Sequence, residues 1–231
     1  MDTPAPSPAS PDSNPVAESS PRLVLASSSR YRRALLERLG VEFAAASPDI
    51  DESRARGESP ESLVRRLAHG KAQALAARFP EHLIIGSDQV AALGDDVLGK
   101  PGTAANAEAQ LARLSGQRVA FLTGLTVLDS ARQTSVTELD RTMVQFRELS
   151  AAEIRSYVAR EQPLDCAGSF KSEGLGVTLF ERIDSQDPTG LIGLPLIQVC
   201  ACLRRFGLDP LLQSRGLPSP GLQSTGPAAS A

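Results

Sequence analysis

Leu83-Ile84-Ile85-Gly86-Ser87-Asp88-Gln89 reads as a short apolar strand that runs directly into a carboxylate. A buried charge without a partner costs on the order of several kcal/mol, so an acid at the mouth of a buried strand points to chemistry or to a metal. A second strand, Leu23-Val24-Leu25-Ala26, leads into Ser27-Ser28-Ser29 and then a basic helix beginning Arg30-Tyr31-Arg32-Arg33. One strand end offers anion-binding groups and the other offers an acid. Together they predict a nucleotide phosphate site with a metal-assisted base.

Composition narrows the alternatives. The chain has 231 residues and 41% hydrophobic content, enough for one large domain or two lobes sharing a sheet. Aromatics make up only 4%, Trp is absent and the net charge is -3, which disfavours a stacking nucleic-acid platform. No apolar run approaches the roughly 20 residues needed to cross a bilayer. The opening MDTPAPSPAS lacks the basic and apolar regions of a signal peptide, and Cys166, Cys200 and Cys202 have no metal-type spacing. The expectation is a reduced, cytoplasmic protein with no membrane partner and no stable nucleic-acid partner.

Residues 1–20 and 211–231 are rich in Pro, Ser and Ala without periodicity, and are expected to be disordered tails around a folded body at 21–210. Within that body, strands are expected at 22–26, 41–45, 83–87, 118–130, 134–147 and 177–183. Helices are expected at 30–39, from Pro60 to Phe79, at 103–114, at 151–160 and from Leu194-Pro195. Ser59 caps the second helix with Pro60 in its first turn, and Ser150 with Glu153 forms a capping box. The fold class is therefore α/β, with a mixed sheet because hairpins interrupt the strand–helix alternation.

The individual residues each carry two readings. Ser27 to Ser29 at a helix start make either a phosphate cradle or an ordinary serine cap followed by solvated arginines. Asp88 is a general base or metal ligand, or else a turn carboxylate. Glu52, in the acidic run Asp49-Ile50-Asp51-Glu52, is a candidate ligand in a loop that could equally be solvated. Lys71 and Lys100 each follow a glycine and suit phosphate as point charges, although Lys71 also fits an ordinary amphipathic helix. In the segment Cys166 to Gly176, a merely flexible loop would not require Phe170, Lys171 and Glu173.

In this order, LASSSRYRRALLERLG, DIDES, LAHGKAQALA, IIGSDQV, GKP, LSG, TGL, CAGSFKSEGLG and LIGLPL resemble the Maf family of nucleoside triphosphate pyrophosphatases over residues 22–209. Ser87-Asp88-Gln89-Val90 and Ser169-Phe170-Lys171-Ser172-Glu173-Gly174 are similar to the branch that hydrolyses 7-methyl-GTP. The dTTP/UTP branch carries Asp-Thr at the first place. The resemblance implies an elongated central mixed sheet with flanking helices, two lobes around a cleft, and a homodimer. It implies hydrolysis of a nucleoside triphosphate between the α- and β-phosphates with Mg²⁺ or Mn²⁺. Asp88 matches the proton acceptor, and Glu52 with Asp88 would hold the metal. Ser27, Ser29, Arg32, Lys71 and Lys100 match the phosphate side, while Tyr31, Gln89 and Glu173 match positions that tune base choice. One departure is Arg30, where the family generally has proline.

The same resemblance supplies a rationale for the base. Methylation at N7 leaves guanine positively charged, so Tyr31 could stack on it, Glu173 could accept its N–H groups, and Gln89 could bond base or sugar. The alternatives are a dTTP/UTP pyrophosphatase and a nucleotide-binding regulator of septum formation. A P-loop kinase is disfavoured because no Gly-x-x-x-x-Gly-Lys-Ser/Thr motif occurs.

Overall fold

The computed structural model describes residues 22–212. The expected tails lie outside the described residues, apart from Leu211 and Leu212, which are exposed. In chain order the elements are β1 (Arg22–Ala26), α1 (Arg30–Glu37), β2 (Phe43–Ala46), α2 (Pro60–Ala74), β3 (His82–Leu93) and β4 (Asp96–Leu98). They continue with α3 (Ala104–Leu114), β5 (Arg118–Asp129), β6 (Thr134–Phe146), α4 (Ala151–Glu161), β7 (Phe180–Asp184) and α5 (Leu196–Arg205). Among the described residues, no helix is long and apolar enough to cross a membrane.

The strands form one sheet in the order β2-β1-β3-β5-β6-β7, with β4 paired to β3. β1 is parallel to both β2 and β3, whereas β3, β5, β6 and β7 pair antiparallel. The expected mixed α/β sheet is therefore present. Its parallel part binds the helical crossovers, and its antiparallel part carries the long hairpins.

Strand alternation separates the core by face. Leu23, Leu25, Leu83, Ile85, Leu125 and Val127 pack against α1 and α5. Val24, Ala26, Ile84 and Leu128 pack instead against Ala72 and Leu75 at the end of α2. Beyond the cleft, Ala91, Val119, Phe121, Val144 and Phe146 bury against α3 and α4. These clusters are the two lobes.

α2 lies unusually close to the sheet for a definite reason. A Cβ at Gly86 would stand 2.1 Å from the Ala68 carbonyl oxygen, and one at Gly124 would stand 2.1 Å from the Val64 carbonyl oxygen. Only glycine lets the helix backbone settle there.

Three expectations require correction. Asp88 is not at the mouth of a strand, because β3 continues as one strand to Leu93. It is β1 that ends, with its last residue Ala26 paired to Gly86, and β4 pairs only from Ala91, so the edge of β3 is open from Ser87 to Val90. α2 stops at Ala74 rather than Phe79, since the next amides bond three residues back (Leu75 to Ala72, Ala76 to Gln73) and tighten into turns. β7 begins at Phe180, not 177, because residues 175–179 wind into a 3-10 turn that presses Gly176 onto the Lys171 carbonyl. The predicted caps at Ser59 and Ser150, including the reciprocal bonds between Ser150 and Glu153, are present.

Candidate active site

The open edge of β3 forms the floor of a cavity of about 660 Å³, within the usual range for a small-molecule site. Every site residue expected from sequence lines it: Ser27, Ser29, Tyr31, Arg32, Glu52, Lys71, Asp88, Gln89, Lys100 and Glu173. They converge from α1, α2, β3 and four loops.

Lys71 lies at the centre. The ammonium is buried, 2.7 Å from Asp88 Oδ1 and 2.8 Å from Glu52 Oε1. Asp88 is buried on the α2 face of β3, and the close seat of α2 at Gly86 brings the lysine down to it. Asp88 Oδ2 and Glu52 Oε2 accept no hydrogen bond among the described residues.

That arrangement permits a test of whether a divalent metal fits. Two hard carboxylate oxygens already converge on one small cationic centre, and each acid keeps a second oxygen without a protein donor. No group of three or more His, Cys, Asp or Glu residues that could hold a metal exists among the described residues. A dedicated protein cage is therefore absent. Mg²⁺ and Mn²⁺, however, are commonly held by one or two carboxylates, with water and substrate phosphate completing the shell. Glu52 and Asp88 fit that mode.

Where β1 meets α1, Ser27 Oγ accepts from the Ser29 amide at 3.1 Å and from Arg32 at 3.5 Å. Ser29 is the N-cap of α1, its Oγ accepting from the Arg32 amide at 3.4 Å. Both hydroxyls act as acceptors in these bonds, so their O–H protons remain as donors toward the cavity. The serine-cap reading is thus realised at Ser29. Arg32 donates through Nε to the Gly193 carbonyl at 2.9 Å. Burial lowers its pKa from the ordinary value, and the charges of Asp88 and Glu52 offset part of that cost. Lys100 is exposed on the loop after β4 and faces the cavity without a protein partner among the described residues.

The residues expected to tune base choice depart further from expectation. Gln89 points to the opposite sheet face from Asp88. Its Nε2 donates to Thr123 Oγ1 at 2.9 Å, Gly190 O at 2.8 Å and Leu191 O at 3.2 Å. Three acceptors around one nitrogen fix the amide's orientation and leave only its oxygen for a ligand. Glu173 is exposed and, among the described residues, is bonded only by the neighbouring Ser172 hydroxyl at 3.3 Å. Tyr31 is covered by Arg30, whose guanidinium carbon lies 4.8 Å from the ring centroid. Burial pushes the Tyr31 phenol up to about 12.

Phe170 and Lys171 are structural. Phe170 is buried, packing edge-to-face on Phe121 and Phe180 at 4.9 and 4.8 Å. Lys171 Nζ donates to the Glu161 carbonyl at 2.6 Å, tying the loop to the end of α4. The expected ligand-facing loop keeps Glu173 and Phe170 at the cavity, whereas Lys171 does not line it and is claimed by the end of α4 instead.

Sequence reasoning also missed the wall at 187–193. The carbonyl of Gly193 accepts from Arg32 and from Ser87, and the carbonyl of Gly190 from Gln89 and Thr123. Asp187 anchors this wall: Oδ1 accepts from the Thr189 amide and hydroxyl, and Oδ2 from the amides of Ile197 and Gln198 at the start of α5. LIGLPL at 191–196 was matched as a motif but given no role, and Asp-Pro-Thr-Gly ahead of it was the other local signal. Cys166 also lines the cavity, 3.8 Å from the Tyr31 hydroxyl.

The family model described as "Maf-like protein" matches residues 22–206. A protein of Chromohalobacter salexigens named 7-methyl-GTP pyrophosphatase is 60% identical over 190 residues, spanning 82% of this chain and 98% of the relative. Among solved structures, the Staphylococcus aureus Ham1 protein is similar at a TM-score of 0.41 and 15% identity, over 66% of this chain and 88% of the other. A HAM1 protein from Coxiella burnetii is similar at a TM-score of 0.40, with the same identity and coverage.

Proposed function

The chain belongs to the Maf family, and from that membership we propose that it is a nucleoside triphosphate pyrophosphatase hydrolysing 7-methyl-GTP to 7-methyl-GMP and pyrophosphate. The observation that carries the chemistry is the buried Lys71 ammonium held between Glu52 and Asp88 on the floor of a cavity rimmed by Ser27, Arg32 and Lys100. The observation that carries the substrate is the 60% identity to a relative of that name.

In the proposed reaction a water is oriented by Asp88, and Oδ2, the oxygen not bonded to Lys71, takes its proton. The water oxygen attacks the α-phosphorus. The α–β bridging P–O bond breaks, its electron pair staying with the departing pyrophosphate. Lys71 transfers part of its contact from the carboxylates to the phosphates, where Arg32 and Lys100 also neutralise charge. A divalent cation, Mg²⁺ or Mn²⁺, held by Glu52 and Asp88 supplies further neutralisation and a more acidic water when bound. Positioning and electrostatics carry most of such a reaction.

The three cysteines are free thiols, which supports a reduced, cytoplasmic setting. A homodimer rests on the family resemblance and is tested by sedimentation.

The deciding experiment is pyrophosphate release from 7-methyl-GTP, GTP, dTTP and UTP, with Mg²⁺ and with chelator. Metal-dependent release strongest for 7-methyl-GTP is expected, and Asp88→Asn should cut turnover on the order of 10²–10⁴-fold. Preference for dTTP or UTP would overturn the substrate, and full activity in Asp88→Asn would overturn the mechanism.

A further inference from the structure

The rim of the cleft carries a charge cluster with no part in the scheme above. Arg30 is the first residue of α1, and Asp165 lies in the loop that follows α4; both line the cavity, as Glu173 does. Arg30 donates to the Tyr31 hydroxyl at 2.7 Å and stands 3.5 Å from Asp165 Oδ2. Tyr31 in turn donates to Asp165 Oδ1 at 3.3 Å. The same guanidinium covers the Tyr31 ring at 4.8 Å.

A guanidinium and a 7-methylguanine ring share one chemistry: each is a flat, delocalised cation with N–H donors at its edge. Such a cation is attracted to an aromatic face and to a carboxylate beside it. Arg30 thus occupies, on Tyr31 and Asp165, a place suited to a positively charged base. The side chains of the ion pair are 70% and 50% exposed, and pairs this open have little net strength. A ligand can displace such a pair, whereas a buried one would bar entry.

We propose that Asp165 is a further specificity-determining residue, and that Arg30 is its exchangeable counter-ion. A cationic base takes Arg30's place on the ring of Tyr31 and receives the Asp165 carboxylate as its counter-charge. A neutral guanine displaces the same guanidinium and leaves Asp165 without a cation. The preference for charge is set by this exchange together with Glu173. The inference rests on the 7-methyl-GTP reading proposed above.

The test is kcat and KM for 7-methyl-GTP and GTP in the full chain, comparing wild type with Asp165→Asn and Arg30→Ala, with thermal melting of each. Asparagine keeps the acceptor for Tyr31 and removes only the charge. Asp165→Asn should raise KM for 7-methyl-GTP roughly 3- to 10-fold, the scale of one partly exposed charge contact, with a smaller change for GTP. Arg30→Ala should lower KM for 7-methyl-GTP by removing the competitor. Equal KM changes for the two substrates, or a KM for 7-methyl-GTP that rises in Arg30→Ala, would overturn the exchange. If wild type itself shows no preference for 7-methyl-GTP over GTP, the substrate reading falls and takes the inference with it. A preserved wild-type preference with an unaffected Asp165→Asn overturns the inference alone.

Discussion

Asp88 and Gln89 are neighbours in the chain, stand on opposite faces of the sheet, and line the same cavity. A paired strand would have kept those faces apart. Here β1 ends at Ala26 and β4 begins to pair at Ala91, so the edge of β3 is bare from Ser87 to Val90 and the cavity wraps around it to reach both sides. One face supplies acid and ammonium through α2. The other supplies the amide and carbonyl wall at 187–193.

The two faces depend on different contacts, so they should fail differently. In Lys71→Met, the buried Asp88 loses its ammonium partner. An unpaired charge at such a site should cost about 3 kcal/mol in unfolding free energy, with loss of turnover. The double variant Lys71→Met/Asp88→Asn removes the orphaned charge and should recover most of that stability without recovering activity. Denaturant unfolding of the two variants beside wild type measures this. If the single variant unfolds like wild type, Asp88 does not need Lys71.

The approach of α2 to the sheet is set by Gly86 and Gly124. A methyl at Gly86 meets the Ala68 carbonyl oxygen at 2.1 Å, and backbone cannot swing aside as a flexible side chain can. Gly86→Ala should therefore destabilise by at least about 3 kcal/mol, the upper end for overpacking. Where the protein still folds, the helix should lift and separate Lys71 from Asp88, so kcat should fall as well. A variant with wild-type stability and rate would show that the helix seat is adjustable.

Asp140 gives the protein a pH dependence away from its chemistry. The residue is 1% exposed, and its Oδ1 has no hydrogen-bond partner. Burial foremost, then the nearby charge of Asp187, push its carboxyl from 3.8 up to about 6. Between those values the folded chain holds a proton that the unfolded chain has released, so stability should fall as pH rises through that window. Above it, the ionised buried carboxylate should cost on the order of 3 kcal/mol. Asp140→Asn should raise the Tm near neutral pH and flatten its dependence between about pH 4 and pH 7. An unchanged Tm profile in the variant would assign the dependence to other groups.

Much of the frame was legible because it is written locally. Ser59 before Pro60, and Ser150 before Glu153, mark helix starts by satisfying free amides within a few residues. The apolar runs of β1 and early β3 are continuous because both faces are buried. The length of β3 was hidden, since Ser87, Asp88 and Gln89 look like the end of a strand. Their burial depends on α2 and on a wall about a hundred residues away. For the same reason Gln89 looked free for a ligand, although Gly190 and Leu191 already hold its nitrogen. Neither Phe170 nor Lys171 carries a local mark of its structural partner, whereas all the motif residues with unsatisfied chemistry reached the cavity.

The seating of α2 on glycine has a consequence for how this enzyme could diversify. Lys71 and Asp88 sit on a helix and a strand whose spacing tolerates no added atom, so that end of the cavity is closed to drift. Arg30, Asp165 and Glu173 lie at a solvent-facing rim where side chains can be exchanged without disturbing any packed layer. New nucleotide preferences would thus arise by repainting the rim around an unchanged engine, and a laboratory library confined to those three positions samples the same freedom.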